Sequence, residues 1–414
     1  MKTAKKIWWA FKLFFARFYY GNPAKKLKII GVTGTNGKTT TVTLLHQIST
    51  ALGHKAGLIS TVQVLAGEEK LKTDSGRPIP ATTPDSVTLV KMFFQMAKAG
   101  CEYVFMEVSS HALDQNRVVG IKFAGGIFTN LTHDHLDYHK NIESYFHAKK
   151  KFFEMLPKNA FALSNLDDEH GFLMLDGTLA QKLTYGFNPD LLLDFKGRIL
   201  DSSFSGLELD FNDQKIFSKL LGKFNAYNLL AVWSASKLLG FDIGKVNKIL
   251  EDIRPPKGRF EHLTSKNGVS AIIDYAHSPD ALLKVLSAIG EIKNENSKII
   301  SVFGCGGDRD RTKRPKMGKI GASLSDIAIF TSDNPRNEDP EKIIDQMQDE
   351  LDEEESDKVI TIPDRRKAIG QAIELARPGD IILCAGKGHE DYQEIKGVKN
   401  HFDDREEFQK LFQK

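Results

Sequence analysis

Residues 31–40, Gly-Val-Thr-Gly-Thr-Asn-Gly-Lys-Thr-Thr, carry the parts needed to hold a polyphosphate. Glycines let backbone N–H groups turn toward anionic oxygens, Lys38 adds a full positive charge, and the hydroxyl of Thr39 suits Mg²⁺. An apolar run, Leu27–Ile30, precedes the loop, and a helical pattern of Val42, Leu44, Leu45 and Ile48 follows it. The helix N-terminus therefore adds its own partial charge. Gly34, Thr35, Asn36, Gly37, Lys38, Thr39 and Thr40 are the expected ATP contacts. In the common phosphate loop the first glycine would stand at position 32, which is Val32; here glycines stand at 31, 34 and 37. That spacing points to a narrower class of ATP-binding loop.

Further polar clusters follow apolar runs. Glu107-Val-Ser-Ser-His111 is followed by Gln115 and Arg117, and in the segment 130–139 His135 and Asp137 are expected to face one crevice. Ala148-Lys-Lys-Lys151 lies in a helical pattern with Tyr145, Phe152 and Phe153. A carboxylate and an imidazole beside a Mg²⁺-ATP loop read as metal ligands or substrate-orienting groups. A lone histidine is more often a satisfied core or surface residue; His111, His133, His135 and His139 form a cluster. The second half offers Asp274-Tyr-Ala-His277, Gly304–Arg311, Asp333-Asn-Pro-Arg336 and Gly386-Lys-Gly-His-Glu390. There Arg309 and Arg336 are suited to clamp a carboxylate, and Asp333 and Glu390 to hold an ammonium group. Both signs of charge in one site suit a zwitterion such as an amino acid.

These clusters need strand ends to carry them. Strand and helix patterns alternate to about residue 160, which predicts an α/β fold: a mostly parallel sheet with helices on both faces and sites at the strand carboxyl ends. Residues 191–221 read as short antiparallel strands, followed by helices over 226–239 and 243–253. Arg254-Pro-Pro-Lys-Gly-Arg-Phe260 reads as a linker. A second strand–helix series, with strands at 269–274, 298–303, 327–331 and 380–384, predicts another α/β domain. The acidic run 349–357 reads as a solvated helix end or loop.

The chain of 414 residues is too long for one core, and its 41% apolar and 27% charged content is that of a globular protein. A net charge of +3 gives no field for nucleic acid, and Cys101, Cys305 and Cys384 suit a reducing cytoplasm. Residues 1–20 carry Lys2, Lys5, Lys6, Lys12 and Arg17 opposite Ile7, Trp8, Phe11, Phe14, Phe15 and Phe18, the pattern of a basic amphipathic helix. It is not a transmembrane span, since Lys12 and Arg17 interrupt it. Packing on the protein body and contact with the inner membrane surface both stay open. The expected division is 1–20 helix, 21–254 ATP-binding domain, 255–414 second domain.

Taken together the loops resemble the Mur ligases, the ATP-dependent amide ligases of peptidoglycan precursor synthesis, and among them those adding the third residue of the stem peptide. The resembling segments are 31–40, Thr82-Thr-Pro84, Met106–His111, Thr129–His139, Phe224–Asn228, Gly258–Glu261, Asp274–His277, Asp333–Arg336 and Gly386–Glu390. They run in order from about residue 21 to the C-terminus. The resemblance implies a central P-loop ATPase-like domain and a C-terminal Rossmann-like ligase domain. It also implies that a UDP-MurNAc-dipeptide carboxylate is phosphorylated by ATP and then joined to a diamino acid. By the same resemblance, Thr39, Glu107 and His135 hold Mg²⁺ together with a carbamylated Lys149, which stands in a Tyr-x-x-Ala-Lys setting. Asn225, Arg259 and Asp274 surround the adenine, phosphates and ribose. Thr82, Thr83, Ser109, Gln115 and Arg117 hold the muramoyl peptide. Arg309, Asp333, Asn334, Arg336, Gly386 and Glu390 form an amino-acid pocket, and Asp-Asn-Pro-Arg at 333–336 favours meso-diaminopimelate over lysine.

One departure stands out: only thirty residues precede Gly31, where the family carries a uridine-binding domain. The expectation is therefore a minimal ligase holding its substrate by sugar and peptide. The alternatives are the same chemistry on a lipid-linked or other non-nucleotide acceptor, and a non-catalytic membrane-associated binding protein.

Overall fold

The computed structural model describes residues 18–71, 82–132, 134 and 136–413. The expected N-terminal amphipathic helix falls almost wholly outside these residues, as do His133, His135 and the side chain of Asp137. The chain forms two compact units that change over between Arg254 and Pro255, with Ser202–Gly206 and Leu221–Lys223 grouped with the second.

The first unit is built on an eleven-stranded sheet. Its strands are β1 (Lys28–Thr33), β2 (Ala56–Ile59), β3 (Val64–Ala66), β4 (Glu69–Lys70), β5 (Tyr103–Glu107), β6 (Phe123–Phe128), β7 (Phe161–Asn165), β8 (Gln181–Gly186), β9 (Phe195–Ser203), β10 (Gly206–Phe211) and β11 (Gln214–Ser218). The spatial order is β11-β10-β9-β8-β7-β6-β1-β5-β2-β3-β4. Ile29, Ile30 and Val32 of β1 are fully buried, the pattern of a parallel strand covered on both faces. β1 pairs in parallel with β5 on one side and β6 on the other. The chain leaves β1 through helix α1 (Lys38–Ala51) and re-enters the sheet as β2, beyond β5. The order thus reverses about β1, and a crevice opens at the carboxyl ends of β1, β5 and β6.

Helix α2 (Ser86–Lys98) is capped by Asp85, and α3 (Ile142–Glu154) by Asn141. α3 lies close against β1: a Cβ on Gly31 would meet Phe152 Cζ at 2.5 Å, so only glycine lets the helix pack there. Helices α4 (Lys223–Leu238) and α5 (Ile243–Asp252) complete the unit, with Trp233 fully buried in its core. The antiparallel stretch expected at 191–221 is β9–β11, with β9 continuing the parallel sheet from β8.

The second unit has a six-stranded sheet in the order β12-β13-β17-β14-β15-β16. These are β12 (Glu261–Thr264), β13 (Ser270–Asp274), β14 (Ile299–Phe303), β15 (Ile327–Phe330), β16 (Val359–Thr361) and β17 (Ile381–Ala385); a hairpin, β18 (Tyr392–Ile395) and β19 (Val398–His401), stands apart. β13 to β17 pair in parallel, so the loops after β13, β14, β15 and β17 leave one edge of the sheet. The short β12, β16 and hairpin strands were not expected from sequence. The acidic run is largely exposed, as expected, and Glu353–Asp357 is a short helix with a capping box between Asp352 and Glu355; Glu355 departs from the expectation, being buried against Ser323. A carboxylate facing its own helix N-terminus is satisfied without water.

Arg365 opens helix α9 (Arg365–Leu375) and Asp404 opens α10 (Asp404–Phe412). Both side chains are fully buried, and Nε and Nη2 of Arg365 donate to the Asp404 carboxylate at 2.7 and 2.8 Å. Removing one partner of such a pair leaves an uncompensated buried charge. Asp404→Ala is expected to destabilise the second unit by about 3–5 kcal/mol. Chemical denaturation of the full chain checks this.

Candidate functional site

In the first unit the loop 34–37 lies over the carboxyl end of β1. Gly34 has φ +148°, and a Cβ there would meet Thr129 Oγ1 at 1.9 Å, so the loop is pressed against the segment after β6. That segment fixes it: Thr35 N donates to Asn130 O at 2.8 Å, Asn36 N to Asn130 Oδ1 at 2.9 Å, and Thr129 Oγ1 to Asn36 O at 2.6 Å. Gly37 is in the left-handed region and immediately precedes α1, whose first residues are Lys38, Thr39 and the buried Thr40.

Two amines converge on one carbonyl. Lys38 Nζ donates to Gly34 O at 2.9 Å and to Thr35 O at 2.7 Å, and Lys149 Nζ donates to the same Gly34 O at 2.7 Å. Of the three adjacent lysines, Lys149 is buried, Lys150 half-buried and Lys151 exposed. Burial drives the Lys149 pKa well below the usual ammonium value, and the nearby Lys38 charge lowers it further. The Lys149 Nζ also lies 4.4 Å from the centre of the Tyr145 ring, and Tyr145 OH is 3.2 Å from Thr35 Oγ1.

Thr39 Oγ1 donates to Glu107 Oε1 at 2.8 Å. Glu107, at the end of β5 and 1% exposed, also accepts from Thr61 N at 2.8 Å and from Thr61 Oγ1 at 3.2 Å. This places a hydroxyl and a carboxylate, both hard oxygen donors, beside the loop. Asn225 is buried and receives a hydrogen bond from Asn228 Nδ2 at 3.0 Å. A Cβ on Gly37 would touch Asn228 Oδ1 at 2.4 Å, so Asn228 lies against the loop; its i+3 spacing from Asn225 on α4 was the signal for it.

The five residues expected around a muramoyl peptide form one chain of contacts. Thr82 Oγ1 accepts from Thr61 Oγ1 at 3.0 Å, while Thr83 Oγ1 donates to Glu107 O at 2.8 Å and accepts from Ser109 N at 3.0 Å. Arg117 Nη1 donates to Thr83 O at 2.7 Å, and its Nη2 to Gln115 Oε1 at 2.6 Å. The expected His135 lies outside the described residues. His139 is buried, with Nε2 2.9 Å from Ser110 Oγ.

In the second unit Asp274 ends β13 and accepts from Phe260 N at 2.7 Å. Burial raises its pKa to about 6 despite the Arg259 charge nearby. The Arg259 guanidinium lies 4.7 Å from the centre of the Tyr275 ring, and its buried Nε has no hydrogen-bond partner. His389, missed by sequence reasoning, packs against Tyr275 at 4.9 Å, and its buried Nδ1 also lacks a partner. Burial, then the Arg259 and Lys257 charges, lowers its pKa to about 3.

Around the next loops, Asn334 Nδ2 donates to Glu390 Oε2 at 2.7 Å, and a Cβ on Gly386 would meet Asp333 Oδ2 at 2.7 Å. Burial and then the Asp333 charge raise the Glu390 pKa, while fully buried Lys387 sits 3.5 Å from its carboxylate. Arg336 Nη1 donates to Gly307 O at 2.8 Å, and its Nε is 3.7 Å from Glu394. Asp333, Asn334, Gly386 and Glu390 are thus brought together. Arg309, by contrast, is exposed on its loop, touching the group only through the neighbourhood of Gly306.

Comparison with known proteins gives the same two-part division. Residues 32–236 match the Mur ligase middle domain, and residues 258–388 the Mur ligase glutamate ligase domain. A protein of Bacteroides thetaiotaomicron named UDP-N-acetylmuramoyl-L-alanyl-D-glutamate–2,6-diaminopimelate ligase is 52% identical over 397 residues, covering 96% of this chain and 81% of its own. A protein of the same name from Aquifex aeolicus is 44% identical over 394 residues, 94% of this chain and 78% of its own. A solved structure of such a diaminopimelate ligase is 35% identical, with a TM-score of 0.66, covering 94% of this chain and 78% of the other. A Mycobacterium tuberculosis folylpolyglutamate synthase, 19% identical over 91% of each chain with a TM-score of 0.71, shares the fold. The chain belongs to the Mur ligase family.

Proposed function

We propose that this protein is an ATP-dependent ligase joining meso-diaminopimelate to UDP-MurNAc-L-Ala-D-Glu in the cytoplasm, as a step of peptidoglycan precursor synthesis. The observation that carries this reading is the 52% identity, over 96% of the chain, to a relative named for that reaction. Arg336 supplies its physical rationale. Diaminopimelate has a distal carboxylate that lysine lacks, and the Arg336 guanidinium, held by Gly307 O and Asn334 O, suits it.

Residues 21–254 would take ATP and the muramoyl peptide, and residues 255–414 the amino acid. The peptide carboxylate oxygen attacks the γ-phosphorus and the bond to ADP breaks, leaving an acyl phosphate. The amine nitrogen then adds to the acyl carbon, the tetrahedral intermediate expels phosphate, and the ammonium proton is lost. Lys38 and the amides at the start of α1 would bind the transferring phosphoryl group, with Asn225, Arg259 and Asp274 around the rest of the nucleotide. Asp333 and Glu390 would hold an ammonium group of the amino acid. Thr82, Thr83, Ser109, Gln115 and Arg117 would position the muramoyl peptide.

Thr39, Glu107 and His135 would hold Mg²⁺, with Lys149 as its carbamate; the hydroxyl–carboxylate pair at 2.8 Å is a donor set of the kind this ion takes. When bound, Mg²⁺ neutralises charge on the phosphate oxygens. Lys149 fits the modification because burial drives its pKa well below the usual ammonium value, which favours the neutral amine: its lone pair attacks CO₂, a N–C bond forms, and a proton leaves.

Three outcomes are expected. Purified protein should release phosphate from ATP only when both UDP-MurNAc-L-Ala-D-Glu and diaminopimelate are present, and Arg336→Ala should lower the preference for diaminopimelate over lysine by roughly 100-fold. Substrate-dependent release with a non-nucleotide muramoyl peptide alone would move the acceptor to the lipid-linked alternative. Lys149→Gln should lower kcat at least about 100-fold, and intact-mass measurement should lose a CO₂ adduct seen on the parent.

The third outcome follows from the raised Asp274 pKa. A carboxyl whose folded pKa is about 6 binds more protons folded than unfolded between about pH 4 and 6, so stability falls as pH rises through that window. Asp274→Asn is therefore expected to stabilise the protein at pH 7.5 by on the order of 2 kcal/mol, with the gain vanishing near pH 4. Thermal melts across pH check the sign, and weaker ATP binding is the functional counterpart.

A further inference from the structure

Just past Arg336 stands a charged constellation that takes no direct part in the ligation. Helix α7 (Lys313–Leu324) carries Arg314 in its first turn, fully buried. Its Nη1 and Nη2 donate to Glu338 Oε2 and Oε1 at 3.0 and 2.8 Å, a bidentate pair. Nη1 also reaches Gln346 Oε1 of helix α8 (Pro340–Gln348) at 2.7 Å, and Nη2 reaches Gly306 O at 3.4 Å. Glu338 further accepts from Asp308 N at 2.6 Å and lies 3.2 Å from Arg311 Nη2. The Arg314 hydrogen bonds are the main cause of a Glu338 pKa held down to about 2, so the carboxylate stays charged at any working pH.

This pair grips the backbone on both sides of Gly307. Gly307 is the residue that meets Arg336: its carbonyl accepts from Arg336 Nη1 at 2.8 Å, and its N–H donates to Asn334 O at 2.9 Å. The Arg336 main chain is fixed separately, with φ +50°, its N–H on Glu394 O at 3.0 Å and its carbonyl accepting from Lys396 N at 2.7 Å. The direction of its guanidinium is therefore set by what the head group meets: the Gly307 carbonyl at 2.8 Å first, with Asn334 O at 3.5 Å and Glu394 at 3.7 Å as longer contacts. A buried ion pair is weak evidence for stability, because apolar replacements of similar volume often do as well. Hydrogen bonds to backbone atoms at 306 and 308, around the nearer of the two carbonyls that Arg336 Nη1 reaches, have a geometric consequence instead.

We propose that Glu338 and Arg314 are positioning residues for substrate choice: they clamp the 306–308 backbone so that the Gly307 carbonyl aims the Arg336 guanidinium at the distal carboxylate of the incoming diamino acid. This rests on the reading of Arg336 given above. The two residues need not touch substrate. They act through a loop carbonyl on the side chain that does.

Phosphate-release kinetics of the full chain test it, with Glu338→Gln keeping the shape and removing the charge. KM for diaminopimelate should rise roughly tenfold while kcat stays within about twofold, and KM for ATP and for the muramoyl dipeptide should stay unchanged. Efficiency with lysine should also stay unchanged, since lysine does not engage Arg336, so the diaminopimelate-to-lysine ratio should fall about tenfold. An equal loss with both amines would mark a general loosening of the unit and overturn the proposal, as would an unchanged ratio. Arg336→Ala run alongside separates the two readings. If it leaves the ratio unchanged, the role given to Arg336 fails; if it collapses the ratio while Glu338→Gln does not, the positioning role alone fails. Should Glu338→Gln lack the circular dichroism spectrum of the parent, Arg314→Lys, which keeps the cation but loses the fork, takes its place under the same criteria.

Discussion

Two amines share the carbonyl oxygen of Gly34, and the first unit is arranged around that fact. Two full cations that close to one acceptor repel each other, and only one has an alternative. Lys38 is also held by Thr35 O, whereas Lys149 is wholly enclosed beneath the loop. The pKa of Lys149 is therefore driven well below the usual ammonium value, through burial first and the Lys38 charge second. The arrangement exists because the strand order opens a crevice at β1, because Gly31 lets α3 approach that strand, and because Gly34 alone tolerates the contact with Thr129.

The two units use charge in opposite ways. The first gathers amides, a lysine and a helix N-terminus where anionic oxygens must be held, which is recognition of charge without much shape. The second mixes signs within a few residues: Asp333 against Gly386, Glu390 between Asn334 and Lys387, and Arg336 between Gly307 O and Glu394. Such a set discriminates by where each charge points, so it demands rigid loops. A loop that drifts can still attract a zwitterion but cannot tell one diamino acid from another.

The chemistry-bearing loops were legible in sequence because each follows an apolar run, and parallel sheets send the loops after their strands to one edge. Lys149 was separable from Lys150 and Lys151 by its register behind Ala148, and it is the one buried. The ties that hold the loops were not legible. Arg314 and Glu338 lie 24 positions apart, and Arg365 and Asp404 lie 39 apart. Each alone reads as an ordinary surface charge, and only the fold removes both from water together. The hairpin β18–β19, which fixes the Arg336 main chain, escaped because two strands of four residues carry too little alternation. Asn228 stood within a quoted motif, yet its contact with Gly37 depends on how α4 meets the loop. Glu355 departs for a related reason: the acidic run is otherwise solvated, but a capping box with Asp352 turns this one carboxylate inward.

Buried cations in the second unit fall into two kinds, and the difference separates scaffold from site. Arg314 and Arg365 each meet a carboxylate through two parallel hydrogen bonds, so their charge is answered within the protein. Arg259 meets no carboxylate in this way. Its guanidinium lies against the Tyr275 ring, its Nε has no partner, and beside it His389 keeps a buried Nδ1 without one. Unpaired nitrogens are not peculiar to Arg259, since Arg314 Nε and Arg365 Nη1 are also buried without a hydrogen bond; what sets Arg259 apart is that no carboxylate takes two hydrogen bonds from it. Arg259 and His389 both stand near the end of β13, where burial raises the Asp274 pKa to about 6. One anionic, hydroxyl-bearing ligand would relieve all three at once: oxygens for Arg259 and His389, and a hydroxyl for Asp274. Phosphates and a ribose have that chemistry, which is the ground for the nucleotide role proposed above for Arg259 and Asp274.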